Sequence, residues 1–281
     1  MTGPKLLTVR HDGKPVDIVA QPTKFGLLYV FDRVTGKPLW PIEERPVPQS
    51  DVPGEQSSPT QPFPTKPAPF SRLAFNEADV NPYLDEEEKE RIVGILRKAR
   101  NEGIFTPLSI NSDQISVPGE LGGANWGGAA ADPETGMLYV RSADQPALHT
   151  PLRLADESES IKRMAPQPRY TGRLGSMFFA KNGMNAMSPP WAQITAYDLN
   201  TGEIKWQAPL GVVPSLAAKG ITNTGNNYRV HRNGPVVTAG GLIFFAHFAD
   251  RTIRAFDKDN GKSCGRRRWH PISPAFRRCT R

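Results

Sequence analysis

The 281-residue sequence lacks any apolar run near the ~20 residues that a membrane-spanning helix needs. Met1 is not followed by a basic segment and an apolar stretch, so no secretory signal is visible. Hydrophobic residues make up 38% of the chain, which is enough for a sizeable core at this length. These features predict a folded, water-soluble chain of one large or two smaller domains.

Cysteine is scarce, and acidic residues are missing from the C-terminal stretch 263–281. Both cysteines, Cys264 and Cys279, fall there, so they indicate neither a disulfide framework nor a redox compartment. The net charge of +7 also arises there, because subtracting six tail arginines leaves 29 basic against 28 acidic residues, a net of +1. A nucleic-acid-binding function would rest on this stretch alone. We therefore predict no nucleic-acid partner.

A phrase that occurs three times is the strongest signal in the sequence. The copies are YVFDRVTGKPLW at 29–40, ITAYDLNTGEIKW at 194–206 and IRAFDKDNGK at 253–262. Each has a strand-forming run followed by Asp-x-x-x-Gly, and the first two carry Trp40 and Trp206 four residues after the Gly. The Asp carboxylates can cap a turn and the glycines can supply positive φ, which predicts hairpins with capping residues Asp32, Asp198 and Asp257.

The tryptophans indicate how these hairpins assemble. A ring as large as that of Trp40 or Trp206 has more apolar area than one small sheet covers, so it should lie between neighbouring sheets. A further hairpin at 132–136 has Val140 where the Trp would be and is expected at a different corner of its sheet. Four-stranded sheets repeated around an axis predict an all-β β-propeller, with a β-sandwich as the alternative.

The rest of the chain divides into fewer clear segments. Nine prolines between residues 41 and 72 predict an extended insertion with polyproline character. Residues 84–100 predict one inserted helix, acidic at its start, basic at its end and closed by a Gly cap near Gly103. Its expected buried face comprises Ile92, Val93, Ile95, Leu96 and Ala99. Residues 144–190 predict a long loop, and residues 234–256 predict a pair of strands.

The repeat stops abruptly near Lys262. A third Trp is expected at position 265, but Gly265 is there, and residues 263–281 show no strand-like alternation. We expect a partial propeller domain over residues 1–262. The stretch 263–281 is predicted to lie outside the fold, as a product of another reading frame or an unrelated junction, with a genuine basic extension as the alternative.

Five phrases in order give the sequence a family resemblance over roughly residues 5–262. They are PTKFGLLYVFDRVTGKPLWPIEERPVPQ, NEGIFTPLS, GGANWGGAAADPETGMLYV, ITAYDLNTGEIKW and GGLIFFAHFADRTIRAFDKDNG. Together they resemble the pyrroloquinoline-quinone (PQQ)-dependent dehydrogenases, above all the membrane-type glucose dehydrogenase branch. The resemblance implies part of an eight-bladed propeller with PQQ and a calcium ion near its axis. It also implies a periplasmic enzyme, membrane-anchored at full length, that oxidises a sugar or alcohol and passes electrons to ubiquinone or a cytochrome.

The resemblance further implies a partial sequence of about half the blades. The family's catalytic Asp, calcium ligands and C-terminal substrate His have no counterpart in these residues, so no metal site is predicted and the chain alone is expected to be inactive. An open array of blades is expected to be marginally stable unless another chain complements it. The alternative function is a non-catalytic propeller-repeat scaffold or binding protein.

Five residues are carried over as site candidates. Lys24 matches the family's quinone-oxygen contact, where an ammonium would stabilise arriving negative charge; a surface lysine is the alternative. Asn125 and Trp126 fall in a block that lies near the cofactor in the family, although Trp126 could be another docking ring between sheets. Arg141 stands where the glucose branch has Asn and could pair with a cofactor carboxylate. Asp250 matches an acidic residue on the substrate side, or else caps a turn.

Overall fold

A computed structural model describes residues 2–154, 170–172, 176–227, 233–247 and 250–268. The strands in chain order are β1 (Lys5–His11), β2 (Lys14–Pro22), β3 (Leu28–Asp32), β4 (Ile42–Pro46), β5 (Thr60–Pro64), β6 (Gln114–Ser116), β7 (Ala129–Asp132), β8 (Met137–Ala143), β9 (Ala147–His149), β10 (Arg153–Leu154), β11 (Tyr170–Thr171), β12 (Ser176–Met177), β13 (Ala192–Asp198), β14 (Glu203–Pro209), β15 (Val236–Val237), β16 (Leu242–His247), β17 (Thr252–Asp257) and β18 (Ser263–Arg268). The helices are α1 (Glu86–Lys98) and α2 (Pro214–Ala217), and Glu77–Asp79 forms one 3-10 turn.

Three antiparallel sheets form the propeller part of the chain. The first sheet is β1-β2-β3, extended by a bridge between Phe31 and Pro38. The second sheet has the order β7-β8-β13-β14, and the third has the order β15-β16-β17-β18. The leading strands are neighbours, since β7 contacts both β1 and β15. Leading strands that adjoin one another across successive sheets are the arrangement of blades around a propeller axis.

The repeated Asp-x-x-x-Gly turns form as the sequence predicts. Asp32 Oδ1 accepts from the backbone N–H of Val34 and Thr35, and Asp257 Oδ1 accepts from those of Asp259 and Asn260. Asp198 makes the corresponding bond to Asn200. The turn glycines all have φ between +71° and +74°, where a side chain would be strained, at Gly36, Gly136, Gly202 and Gly261. The hairpin at 132–136 joins β7 to β8 and so lies at another corner of the second sheet.

Each repeat Trp lies on a turn glycine of the next sheet. A Cβ added to Gly202 would lie 2.8 Å from Cζ2 of Trp40, and one added to Gly261 would lie 2.5 Å from Cε3 of Trp206. Trp206 also donates its indole N–H to the backbone oxygen of Lys258 at 3.1 Å. The rings thus close the apolar layers between sheets, as predicted.

Antiparallel pairing sorts the connections to two ends of the sheets. The β1–β2, β7–β8 and Asp-x-x-x-Gly turns lie at one end, called the turn end. The connections β2–β3, β8–β13 and β16–β17 lie at the other, called the loop end, with the segments that enter β7 and β15. All long insertions in the second sheet therefore emerge at the loop end.

The insertions carry a separate apolar cluster beside the propeller. The short sheet β6-β9-β12 packs with α1 around Phe75, Ile92, Leu96, Phe178 and Met187. Asp85 caps α1 by accepting from the N–H of Glu88. Ile92 and Leu96 are buried, whereas the other three predicted core positions of the helix are partly buried.

Three local predictions need correction. The Gly cap at Gly103 is wrong, because α1 ends at Lys98 and the extended chain after Ala99 bridges Arg100 to Gln114. The Pro-rich insertion contains a paired ribbon, β4-β5, in which Pro46, Pro62 and Pro64 all occupy alternate pairs of the register. Such pairs use no amide hydrogen between the strands, so proline is tolerated there. The region 144–190 holds four short strands in its described parts.

The C-terminal stretch also differs from its prediction. Ser263–Arg268 is the fourth strand of the third sheet. It pairs with β17, with Ser263 opposite Phe256 at one end and Arg268 opposite Thr252 at the other. All six side chains are exposed, so the pairing uses backbone groups and leaves no apolar alternation in the sequence. Residues 269–281 lie outside the described residues. Within the described part, no helix is long and apolar enough to cross a membrane.

Candidate functional site

Four segments converge at the loop end of the three sheets. They are the β2–β3 connection with Lys24, a glycine-rich bend at 121–128, the Asn233–Gly234 segment, and the β16–β17 connection with Asp250. The bend touches its neighbours on both sides, because Gly123 N–H donates to Lys24 O and a Cβ on Gly127 would lie 2.0 Å from Asn233 O. Asn233 in turn donates its amide to Ala246 O at 2.8 Å.

Lys24 is exposed and lies directly against the bend. A Cβ added to Gly122 would lie 2.7 Å from Lys24 Cγ, and one added to Gly123 would lie 2.3 Å from Ser71 Oγ. Only glycine at these two positions leaves room for Lys24 on the one side and Ser71 on the other. Gly122 therefore leaves room for the stem of the exposed Lys24 side chain beside the bend.

Asn125 and Trp126 lie at the centre of the bend with different surroundings. Asn125 stabilises the bend itself, since its side-chain nitrogen donates to Leu121 O and its oxygen accepts from Trp126 N–H, both at 2.9 Å. Trp126 is 75% exposed, so it does not dock between sheets as Trp40 and Trp206 do. The bend thus presents an exposed indole, and the segment that it contacts carries the exposed Lys24.

Arg141 lies beneath the bend on β8. Its side chain has no exposed surface, and its Nη2 would lie 3.1 Å from a Cβ on Gly127. Burial lowers the pKa of Arg141 to about 9. The predicted contact of this guanidinium with a cofactor carboxylate stays a prediction.

Asp250 belongs to a cluster of three ionisable groups, in which His247 and Arg254 are buried and the Asp250 side chain is 10% exposed. Its two oxygens accept from Nη1 and Nη2 of Arg254, and its Oδ1 lies 3.4 Å from Nδ1 of His247. His247 Nε2 donates to Asn226 O at 2.7 Å, since a carbonyl can only accept. Burial acts to raise the pKa of Asp250, but the contacts with His247 and Arg254 outweigh it and hold the pKa well below its usual range. The carboxylate is an ion-pair partner in this structure, and its substrate role stays a prediction.

A cavity of about 400 Å³ opens next to the bend. Leu121, from the bend, contributes to the lining, and most of the other lining residues come from the β8–β13 insertion and the segment before β15. Its apolar lining comprises Leu121, Ala143, Met177, Phe179, Met184, Trp191 and Val213. The amide lining comprises Gln145, Asn185, Asn226 and Asn227. The part of the chain that the structure describes holds no group of three His, Cys, Asp or Glu side chains suited to a metal.

A family model described as "Glucose/ethanol/alcohol dehydrogenase, beta-propeller domain", of the PQQ type, matches residues 1–273. The chain belongs to this PQQ dehydrogenase family. The match continues past Lys262 into the stretch that the sequence patterns place outside the fold.

Similar curated proteins of the PQQ dehydrogenase family differ in their named substrates. The quinate/shikimate dehydrogenase (quinone) of Acinetobacter baylyi is 30% identical over 89% of this chain and 32% of its own length. The glycerol dehydrogenase large subunit of Gluconobacter oxydans is 32% identical over 90% of this chain and 37% of its own length. The quinoprotein glucose dehydrogenase of Escherichia coli is 28% identical over 92% of this chain and 34% of its own length. The chain thus spans about a third of the length of these relatives.

Solved structures agree on the fold. A europium-containing methanol dehydrogenase aligns with a TM-score of 0.54 at 18% identity, over 96% of this chain and 35% of that one. The quinohemoprotein alcohol dehydrogenase of Comamonas testosteroni aligns with a TM-score of 0.51 at 17% identity, over 95% of this chain and 30% of that one. These matches support the partial β-propeller predicted from the repeats.

The residues at the bend fit a flat, anionic cofactor such as PQQ. Lys24 supplies an exposed cation, Trp126 supplies an exposed plane, and the buried charge of Arg141 lies against Gly127 of the same bend. Sequence reasoning named these residues as candidates, and their role stays a prediction; it missed the cavity and the partners of Asp250. The amide-rich run ITNTGNN at 221–227 is the one sequence signal that could have pointed to the cavity.

Proposed function

We propose that this chain forms the Lys24 side of the cofactor site in a PQQ-dependent dehydrogenase that oxidises a sugar or an alcohol. The observation that carries the proposal is the contact between the Lys24 segment and the glycine-rich bend, which joins two segments that each carry an exposed side chain, Lys24 and Trp126. Bound PQQ would supply the acceptor for the substrate hydride and pass the electrons to ubiquinone or a cytochrome. Cofactor binding is the property proposed for the chain itself, since it spans about a third of its relatives.

Each residue has a distinct proposed task. Lys24 would hold negative charge on the quinone oxygens, because a fixed ammonium needs no reorganisation when that charge arrives. Trp126 would cover one face of the planar ring system. Asn125 would keep the bend in shape through its bonds to Leu121 and Trp126. The positive charge of Arg141 beneath the bend would attract the cofactor carboxylates and so strengthen binding.

The remaining features of the proposal come from the family resemblance. We propose a periplasmic location, a calcium ion beside the cofactor and membrane association for the complete protein. The calcium ligands and the general base would come from outside these residues. Quinate, glycerol and glucose, which appear in the relatives' names, set the range of substrates to test.

The test is a PQQ titration of the full 281-residue chain with calcium present, followed by the absorbance of the cofactor and by tryptophan fluorescence. We expect saturable binding that Lys24→Ala weakens by about tenfold or more, equivalent to at least about 1.4 kcal/mol. The matched control is Lys14→Ala, because Lys14 is also exposed but lies in the β1–β2 turn at the opposite end of the same sheet. Trp126→Leu should weaken binding and remove much of the fluorescence response.

Absence of PQQ binding by the folded chain would overturn the proposal. Equal losses from Lys24→Ala and Lys14→Ala would also overturn it, because general charge attraction would then explain the binding. A non-catalytic propeller scaffold would then be the better description of the chain.

A further inference from the structure

The cavity beside the bend has walls of two kinds. Most of its surface is apolar, with Trp191, Met184, Phe179 and Val213 among the lining side chains. The described lining contains no charged side chain. A volume of about 400 Å³ is in the range of small-molecule sites. Such walls favour an uncharged ligand with apolar faces, since a carboxylate placed there would lose its hydration without a counter-charge.

The amides of the lining are mostly engaged with the protein. Asn185 donates its side-chain nitrogen to Asp144 O at 2.9 Å, and its oxygen accepts from Met187 N–H at 3.0 Å. Gln145 donates to Pro146 O, and its side-chain oxygen accepts from Asn227. These bonds hold the amides as a fixed wall and leave little hydrogen-bonding capacity for a ligand.

Asn227 also lines the cavity and supplies a side-chain acceptor. Its side-chain nitrogen donates to Gln145 Oε1 and, at 3.4 Å, to Asp144 O. Both partners are carbonyl oxygens, which can only accept, so the orientation of the Asn227 amide is determined. Its Oδ1 accepts none of the hydrogen bonds found among the described residues. A ligand that donates one hydroxyl proton would satisfy this oxygen.

We propose that this cavity binds an uncharged alicyclic alcohol, with the ring against the apolar wall and the hydroxyl donating to Asn227 Oδ1. A six-membered ring with a single hydroxyl matches both the apolar walls and the Asn227 acceptor. Because Leu121 connects the cavity to the bend of Asn125, the bound alcohol would be next to the proposed cofactor site. The inference deepens the proposed function by naming the class of its substrate.

The direct test measures ligand binding to the full chain without PQQ, by saturation-transfer NMR. Cyclohexanol should bind with a dissociation constant on the order of 1 mM, a typical weak affinity for so small a molecule. Methoxycyclohexane has the same ring but no donor, and it should bind at least about fivefold more weakly, since Asn227 Oδ1 would stay unpaired. Quinate, which carries a carboxylate, and glycerol, which lacks a ring, should show no saturable binding.

Two variants locate the site. Val213→Trp places a large ring at the cavity wall and should reduce cyclohexanol binding by about tenfold or more. Val34→Trp is the control, because Val34 is an exposed valine in a turn-end hairpin of the first sheet. Circular dichroism and thermal unfolding of both variants verify the fold.

The outcomes separate this inference from the proposed function. Equal binding of cyclohexanol and methoxycyclohexane, or equal effects of the two tryptophan variants, would overturn the alcohol site. Preferential binding of quinate or of a 1,4-benzoquinone would overturn it as well, in favour of a charged ligand or an electron acceptor. PQQ affinity should be unchanged in Val213→Trp. If the wild-type chain binds cyclohexanol but does not bind PQQ, that result counts only against the proposed function.

Discussion

Trp206 of the second sheet covers Gly261 of the third so closely that an added Cβ would lie 2.5 Å from its Cε3. Trp40 and Gly202 repeat this relationship between the first and second sheets. Gly36 occupies the same turn position in the first sheet, yet nothing lies within 4 Å of its added Cβ. The three turns therefore have the same backbone conformation and differ in whether a tryptophan covers their glycine.

This difference yields a prediction on stability. Gly261→Ala should destabilise the chain more than Gly36→Ala by about 1–3 kcal/mol, because both carry the cost of positive φ but only Gly261 also overlaps a ring. Urea unfolding followed by tryptophan fluorescence gives the two free energies. Gly202→Ala provides a repeat of the test. Equal losses at Gly36 and Gly261 would mean that the indole contributes nothing to sheet docking.

Local chemistry explains why these turns were predictable. An Asp that caps a turn and a Gly with positive φ act within five residues, so their spacing is visible in the sequence. The docking of Trp40 and Trp206 followed from ring size alone, although its target glycines did not. Lys24 and the bend at 121–128 were found by resemblance, and their mutual contact depends on glycines whose role becomes visible only in three dimensions.

Other features leave no periodic signal. β18 pairs through its backbone with every side chain exposed, so its arginine-rich sequence has no strand pattern. The β4-β5 ribbon tolerates prolines at alternate pairs, which compositional reasoning treats as irregular structure. The cavity is built from segments far apart in sequence, such as Leu121 and Asn227, and their proximity is a tertiary property.

The buried carboxylate of Glu88 predicts a pH dependence of stability. A hydrogen bond from Arg91 lowers the pKa of Glu88 from 4.5 to about 2, against the opposing effect of burial, with help from the N–H of Lys181. The folded state thus binds a proton less readily than the unfolded state. The stabilisation is fully present above pH 4.5 and is lost as the pH falls toward 2.

Glu88→Gln should therefore cost about 1.5–3 kcal/mol at pH 7 and progressively less toward pH 3. Urea midpoints at pH 7, 5 and 3 give the comparison with wild type. Glu90→Gln is the control, since Glu90 is exposed on the same helix. A cost that is independent of pH would indicate that packing, and not charge, explains the effect of Glu88.

The ion pair between Asp250 and Arg254 predicts a large loss of stability when one of its two charges is removed. Arg254→Gln leaves the largely buried Asp250 carboxylate with His247 alone, and we expect a loss of about 3 kcal/mol or more in the free energy of unfolding. Arg266→Gln, on the exposed neighbouring strand and opposite Arg254 in the register, should change stability by less than about 0.5 kcal/mol. Chemical denaturation measures both.

A second substitution separates charge from packing at this cluster. Adding Asp250→Asn to Arg254→Gln should recover part of the lost stability, because no unpaired carboxylate remains. Strictly additive losses in the double variant would contradict the ion pair as the source of the effect.

The third sheet allows a direct test of where the fold ends. Truncation after Lys262 removes β18 and leaves one side of β17 unpaired, so it should cost about 2–4 kcal/mol at roughly 1 kcal/mol per lost hydrogen bond. Truncation after Arg268 retains β18 and provides the reference thermal midpoint. Replacing Arg266, Arg267 and Arg268 together by Ser should change it little, because their side chains are exposed. If the shorter truncation unfolds at the same temperature as the full chain, β18 adds nothing to the sheet, and the boundary near Lys262 expected from the sequence is the true end of the fold.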